Sequence, residues 1–181
     1  MNVYGANELA NAFRTVRNNT LQAAREIPAE KYDFSPAAGC RTVEKLLTHA
    51  ALAHRFQYRV HAEERLSTFD GFDLMAVFAE LGSEEAKPRT KDEVIALLER
   101  EGEVWESFLR GLSDDFLEEM VAFPAEFAAP PKSRFEMIMS VKEHEMHHRG
   151  QLMLIQRMLG LVPHLTRQRE ERMAARNADK D

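Results

Sequence analysis

Residues 133–160 read SRFEMIMSVKEHEMHHRGQLMLIQRMLG, and the fold turns on how that stretch is interpreted. Ser133 followed by Glu136 is the pattern of a capping box at a helix start. Val141, His144, His148, Leu152, Ile155 and Leu159 then recur at three- and four-residue steps, the period of one helix face. Pro130 and Pro131 precede the run, and Gly160 and Pro163 end it. The pattern predicts one long amphipathic helix with two imidazoles, a turn apart, on its inner stripe.

Three more stretches have the same period. Leu9, Phe13, Val16, Thr20, Ala23 and Ile27 mark a first helix, broken by Pro28, Pro36 and Gly39. Thr42 caps a second, with Leu46, His49, Ala53, Phe56 and Val60 as its inner stripe. Thr90 and Glu93 form a capping box for a third, whose stripe is Val94, Leu98, Glu101, Trp105 and Phe108. Four such helices predict an all-α four-helix bundle. The bundle is expected over residues 1–165, with a charged tail at 166–181 that frays. The link from Arg65 to Arg89 is long enough to cross the bundle, with a short helix expected from Leu74 to Leu81. Phe123 to Ala129 reads as extended but too short for a sheet.

Composition sets the outer bounds. A chain of 181 residues with 44% hydrophobic content suits one domain with a full core. A net charge of −6 argues against nucleic-acid binding, which calls for a basic stripe. No apolar run is long enough to span a membrane and no signal pattern opens the chain. One cysteine cannot form an internal disulfide, so a reducing cytoplasm is the expected compartment.

The histidines carry the functional signal. Side chains at i and i+4 share a helix face, so His144 and His148 can grip one divalent metal. A polar patch at a helix contact is the plain alternative for the pair, and a hydrogen-bonded core histidine is the plain reading of His49 alone. Yet buried imidazoles need partners, and a metal supplies one to several at once. His49, mid-stripe on another helix, completes a site of the kind built in bundle cores from facing helices. Residues 144–148 also spell H-E-x-x-H, the metalloprotease zinc motif with Glu145 as its base. No convincing strand precedes that helix, and Glu170 and Glu171 lie downstream in a charged tail past Pro163 with no flanking motif; the match reads as accidental, with Glu145 a surface or neighbouring group.

Three segments together are similar to the DinB family, also described as DinB/YfiT-like metalloenzymes. They are Ile27-Pro28-Ala29-Glu30-Lys31-Tyr32 with Pro36, then Thr42 through His49, and above all His144 through Gln151 with Leu154 to Gly160. The resemblance implies a four-helix bundle of up-down-down-up topology with a long crossover between the second and third helices. It also implies a divalent metal, zinc or nickel, on His49, His144 and His148, and a homodimer. Better understood relatives are thiol-dependent transferases or isomerases using bacillithiol, mycothiol or glutathione-like cofactors, and others are assigned as hydrolases.

The expected function is therefore a metal-dependent small-molecule enzyme, with thiol transfer ahead of hydrolysis, since a three-histidine site can acidify a bound thiol or water. The alternative is a non-catalytic, stress-related metal- or ligand-binding protein whose site is closed by a fourth protein ligand, for which Glu101 is the candidate; otherwise Glu101 sits at the edge of its stripe. Arg149 is expected to pin its helix by an ion pair, and Gln151 to hydrogen-bond near the metal. Cys40 lies just before the second helix, where the helix dipole favours a thiolate. His54, His61, His147 and His164 are expected on solvated flanks.

Overall fold

Each long helix begins where a neighbouring group satisfies its free N–H groups. The computed structural model describes residues 4–178. In α1 (Ala6–Glu26) the Glu8 carboxylate accepts the Gly5 N–H at 3.0 Å. In α2 (Val43–Leu52) the Thr42 hydroxyl accepts the Lys45 N–H at 3.2 Å. Past Ala53 the chain coils on through α3 (His54–Tyr58) and a π turn at Arg59–Glu63. Asp73 caps α4 (Leu74–Ala86), which is longer than the short helix expected in the crossover.

The box expected for α5 (Lys91–Arg110) forms in both directions: Thr90 N–H donates to Glu93, and Glu93 N–H to the Thr90 hydroxyl. A short α6 (Asp114–Glu118) follows, then β1 (Met120–Val121), which pairs antiparallel with β2 (Lys132–Ser133). The segment expected to be extended instead makes a 3-10 turn at Ala125–Phe127. At α7 (Arg134–Met158) only half the box forms. Ser133 accepts the Glu136 N–H at 3.2 Å, but the Glu136 carboxylate pairs with Lys132 at 2.9 Å. The tail expected to fray continues as α8 (His164–Ala178), held to α1 by Arg167 on Glu26 and by His164 on Asn19; residues 179–181 lie outside the described part.

The core clusters define the topology. Leu9 and Phe13 at the start of α1 pack with Trp105 and Leu109 at the end of α5 and with Ile138 and Val141 early in α7. Leu21, Ala24 and Ile27 at its end pack with Val43 and Leu47 of α2, Val94 and Leu98 of α5, and Leu152 and Ile155 of α7. With α1 taken as up, α2 and α5 run down and α7 runs up. A third cluster of Val60, Phe69, Val121 and Met137 closes the crossover onto the lower end. No helix is long and apolar enough to cross a membrane among the described residues.

A charged group sits at the centre of this apolar assembly. Arg17 of α1, 3% exposed, donates from Nε to Glu145 of α7 at 2.9 Å and from Nη2 to the same carboxylate at 2.9 Å. Its Nη1 donates to the Leu98 carbonyl of α5 at 2.6 Å, and Nη2 also reaches the Ala50 carbonyl of α2 at 3.3 Å. One side chain thus touches all four long helices. Gly102 makes room for it: a Cβ there would come within 3.1 Å of Arg17 Cγ.

Three histidines expected in solvent are buried. His54 stacks near Trp105 and donates from Nδ1 to the Ala51 carbonyl, and burial holds its pKa down to about 4. His61, turned inward by the π turn, sits between Gln57 and Arg134; burial, with the Arg134 charge, lowers it likewise to about 4. His164 is covered where α8 meets α1. Glu145 is also neither a surface nor a site-lining group, being 1% exposed on Arg17.

Removing one partner of a buried ion pair strands the other charge. Glu145→Ala is therefore expected to lower the unfolding free energy by about 3–5 kcal/mol, read from urea midpoints, while Arg17→Met with Glu145→Leu recovers most of the loss. A single variant as stable as wild type would contradict the clamp.

Candidate metal centre

Burial of Glu145 sets the rotation of α7 about its axis. With position 145 directed at Arg17, positions 144 and 148 face the seam where α7 meets α2. His49, one turn before the end of α2, meets them there. Its Nε2 lies 3.1 Å from His144 Nε2, which lies 3.1 Å from His148 Nε2. All three ligand atoms fall within 4.8 Å of one another, the one such group among the described residues.

The second ring nitrogens determine what the first can do. His49 Nδ1 lies 2.8 Å from Glu85 Oε2, and a carboxylate only accepts, so Nδ1 carries the proton and Nε2 presents a lone pair. His148 Nδ1 donates in the same way to Gln151 Oε1 at 2.8 Å, and the Gln151 amide nitrogen reaches His147 at 3.2 Å. His144 Nδ1 is buried with no partner among the described residues. Burial, then the neighbouring histidines and Arg41, holds His144 down to about 4, so its ring is neutral at pH 7. His148 is lowered too, chiefly by burial, with the Gln151 hydrogen bond opposing.

A neutral His144 can donate an Nε2 proton to only one of the two nitrogens 3.1 Å away, which leaves the other contact unbridged unless a cation lies among the three. A tetrahedral zinc separates its imidazole ligands by about 3.3 Å, given zinc–nitrogen bonds of ~2.0–2.1 Å. Two of the three nitrogen separations lie close to that spacing and all three atoms are within 4.8 Å, so the donor set suits one divalent ion. Imidazole nitrogens suit zinc, copper, iron or nickel alike.

A surrounding shell fixes the triad. Glu85, at the end of α4, receives Arg41 Nε on Oε1 at 2.7 Å while holding His49 on Oε2. Burial alone would raise its pKa, but the Arg41 and His49 hydrogen bonds outweigh that and lower it. Lys45 Nζ gathers the last carbonyls of α4, those of Glu85, Ala86 and Lys87, at 2.9–3.1 Å. Neither Glu85 nor Arg41 stood out in the sequence. Glu85 lies in the crossover, 36 positions from the histidine it supports, with no helical period linking the two.

Among the described residues no fourth protein ligand closes the centre. Glu101 is buried, not at an edge, but it is bound by Arg55 at 2.6 and 2.8 Å and by Arg100, well apart from the triad. Glu145 is held by Arg17, which removes the H-E-x-x-H general base. Arg149 makes no ion pair among the described residues, and its Nε is buried without a partner. His147 is exposed beside the triad.

Two clefts reach the centre. The larger, about 550 Å³, is lined by His49, His144, Glu85 and Arg41 and walled by Leu52, Phe56, Phe78, Leu81 and Val141. The other, about 400 Å³, reaches His148 and Gln151 past Cys40, Leu46 and Ile155, and Arg41 borders both. Cys40 is a free, exposed thiol.

An up-down-down-up bundle with three histidines shared between its second and fourth long helices, positioned where one metal ion could be held, is the arrangement the chain presents. The DinB superfamily profile matches residues 12–152, and the chain belongs to that superfamily. YjoA of Bacillus subtilis is 22% identical over 155 residues, covering 86% of this chain and 91% of its own. Its crystal structure, a DinB-like protein, superposes with a TM-score of 0.62 at 20% identity, over 84% of this chain and 92% of that one. YfiT of Bacillus subtilis, described as a probable metal-dependent hydrolase with an unusual four-helix bundle topology, gives a TM-score of 0.64 at 17% identity, over 89% of this chain and 91% of its own. These likenesses establish the shared fold.

Carboxylates that orient metal-ligating histidines typically contribute 10–100-fold to metal affinity. Glu85→Ala is expected to weaken zinc binding by about that factor in competition with a chromophoric chelator, with the helical circular dichroism unchanged. Unchanged affinity would show that His49 needs no such support.

Proposed function

We propose that this protein is a divalent-metal-dependent enzyme acting on a small molecule. The observation that carries this reading is an open triad: three converging imidazoles, no fourth protein ligand among the described residues, and a cleft of about 550 Å³ leading to them. A purely structural metal site would be closed by its own side chains. The likeness to a protein described as a probable metal-dependent hydrolase supports hydrolysis as the first reading. The second cleft, opening on His148, favours thiol transfer as the other reading, since it gives room for a second reactant on the far side of the triad.

When bound, a divalent ion supplies Lewis acidity and a nucleophile at neutral pH. The chain's own residues supply the rest. Glu85 and Gln151 keep the Nδ1 protons of His49 and His148 in place, so that both Nε2 atoms stay directed inward. Burial keeps His144 neutral. Leu52, Phe56, Phe78 and Val141 exclude water from the cleft and bind an apolar body. With Glu101 and Glu145 tied to arginines, Glu85 is the carboxylate that touches the triad.

Untagged protein is expected to hold near-stoichiometric zinc or nickel by elemental analysis and to hydrolyse members of an ester, lactone and amide panel, or to transfer an added low-molecular-weight thiol. His148→Ala should lose the metal and the activity while keeping its helical circular dichroism. Wild-type protein that takes up neither metal after refilling would overturn the proposal.

A further inference from the structure

Resting on the metal-centre reading above, the larger cleft also carries information about its substrate. Its polar lining is one-sided. Glu85 has both oxygens occupied, one by Arg41 Nε at 2.7 Å and one by His49 Nδ1 at 2.8 Å. Arg41 has only its Nε engaged among the described residues, and its side chain is 45% exposed, leaving both terminal nitrogens as donors. Gln57 accepts from His61 on its amide oxygen at 2.9 Å and keeps its NH2 group as a donor, while Ser140 donates its hydroxyl to the Met137 carbonyl and leaves a neutral oxygen as acceptor. The one charged group of the lining with free hydrogen-bonding atoms is therefore the donor Arg41.

The charge balance points the same way. A divalent ion held by three neutral imidazoles keeps both its positive charges. The charges of Arg41 and Glu85, the other ionised groups of the lining, cancel. The loaded site is thus net positive inside a chain of net charge −6. Low-dielectric walls such as Phe56, Phe78 and Leu52 focus such a field onto whatever enters. Arg41 stands one hydrogen-bonded residue from the centre, since the Glu85 carboxylate that accepts its Nε also holds His49.

We propose that Arg41 is a specificity-determining residue and that the substrate is a small organic anion. Its apolar body lies between Phe56, Phe78 and Val141, its carboxylate or other oxyanion pairs with the free end of the Arg41 guanidinium, and its reacting group sits at the triad. A guanidinium fork suits a planar carboxylate, which can accept two of its N–H groups at once. Arg41 enters the larger cleft beside the histidines and also borders the smaller one, so an anion there is held at the meeting point of the two.

The test uses the full zinc-loaded chain and two matched thiol probes, 4-(mercaptomethyl)benzoate and its neutral amide, titrated calorimetrically. The acid is expected to bind about tenfold or more tightly than the amide, the scale of one charged hydrogen bond. In Arg41→Gln, compared with wild type at equal zinc occupancy, the ratio of acid to amide affinity should fall to near one. Arg41→Lys should keep part of the preference. Equal affinities in wild type, or a preference that survives Arg41→Gln, would overturn the anion proposal while zinc-dependent amide binding left the metal centre standing. If zinc is not retained by wild type, the metal-centre reading fails and the proposal falls with it; if zinc is retained and neither probe binds, the anion proposal is overturned and the metal centre stands. Should Arg41→Gln itself lose zinc, the wild-type preference decides: it must shrink as salt is raised, and a salt-independent preference overturns the proposal.

Discussion

Arg17 is the group on which the arrangement of the bundle depends. A guanidinium at 3% exposure is tolerable only because the Glu145 carboxylate and the Leu98 and Ala50 carbonyls take its donors. Those acceptors belong to three different helices and the donor to a fourth, so a shift or rotation of any one strands a buried charge. Apolar stripes alone would permit several rotations of α7, because leucine and isoleucine pack in many ways. The ion pair selects one. That rotation, in turn, puts His144 and His148 on the seam with α2 instead of in the core or in solvent.

From that constraint the histidine triad follows as a division of labour. The three imidazoles stand on the two long helices that the clamp holds in register, while their orientation comes from elsewhere. Glu85 arrives from the crossover helix α4, whose end is fastened to α2 by Lys45. Gln151 comes from the next turn of α7 itself. The crossover is thus more than a connection, since it completes the surroundings of His49 and, through Phe78 and Leu81, one wall of the larger cleft. The buried carboxylates elsewhere, Glu101 and Glu145, are each matched by arginine and leave the triad's open side free.

What could be read in the sequence was what depends on local period and spacing. The four helices, the caps at Thr42 and Thr90, and the placing of His49, His144 and His148 on inner stripes all follow from residues within a few turns of one another. Pairings across the bundle were not legible. Arg17 is one of many arginines in the chain, and nothing near it announces Glu145, 128 positions away. Glu85 likewise sits beside Glu84 in a stretch that reads as surface helix. His61 was misread because the π turn at Arg59–Glu63 rotates the end of that helix, and His54, which precedes that turn, because Trp105 of α5 covers its flank. The tail was misread as fraying because a charged helix lacks an apolar stripe; Arg167 and His164 anchor it through polar contacts to α1.

The central claim is that a clamp at the core brings three imidazoles to one divalent ion. A crystal structure of the protein grown with zinc, with anomalous differences collected on both sides of the zinc absorption edge, tests it directly. The account predicts a single strong site bonded to Nε2 of His49, His144 and His148, with no contact from Glu101 or Glu145. A zinc peak elsewhere, or a triad bridged by hydrogen bonds with no peak at all, would contradict it.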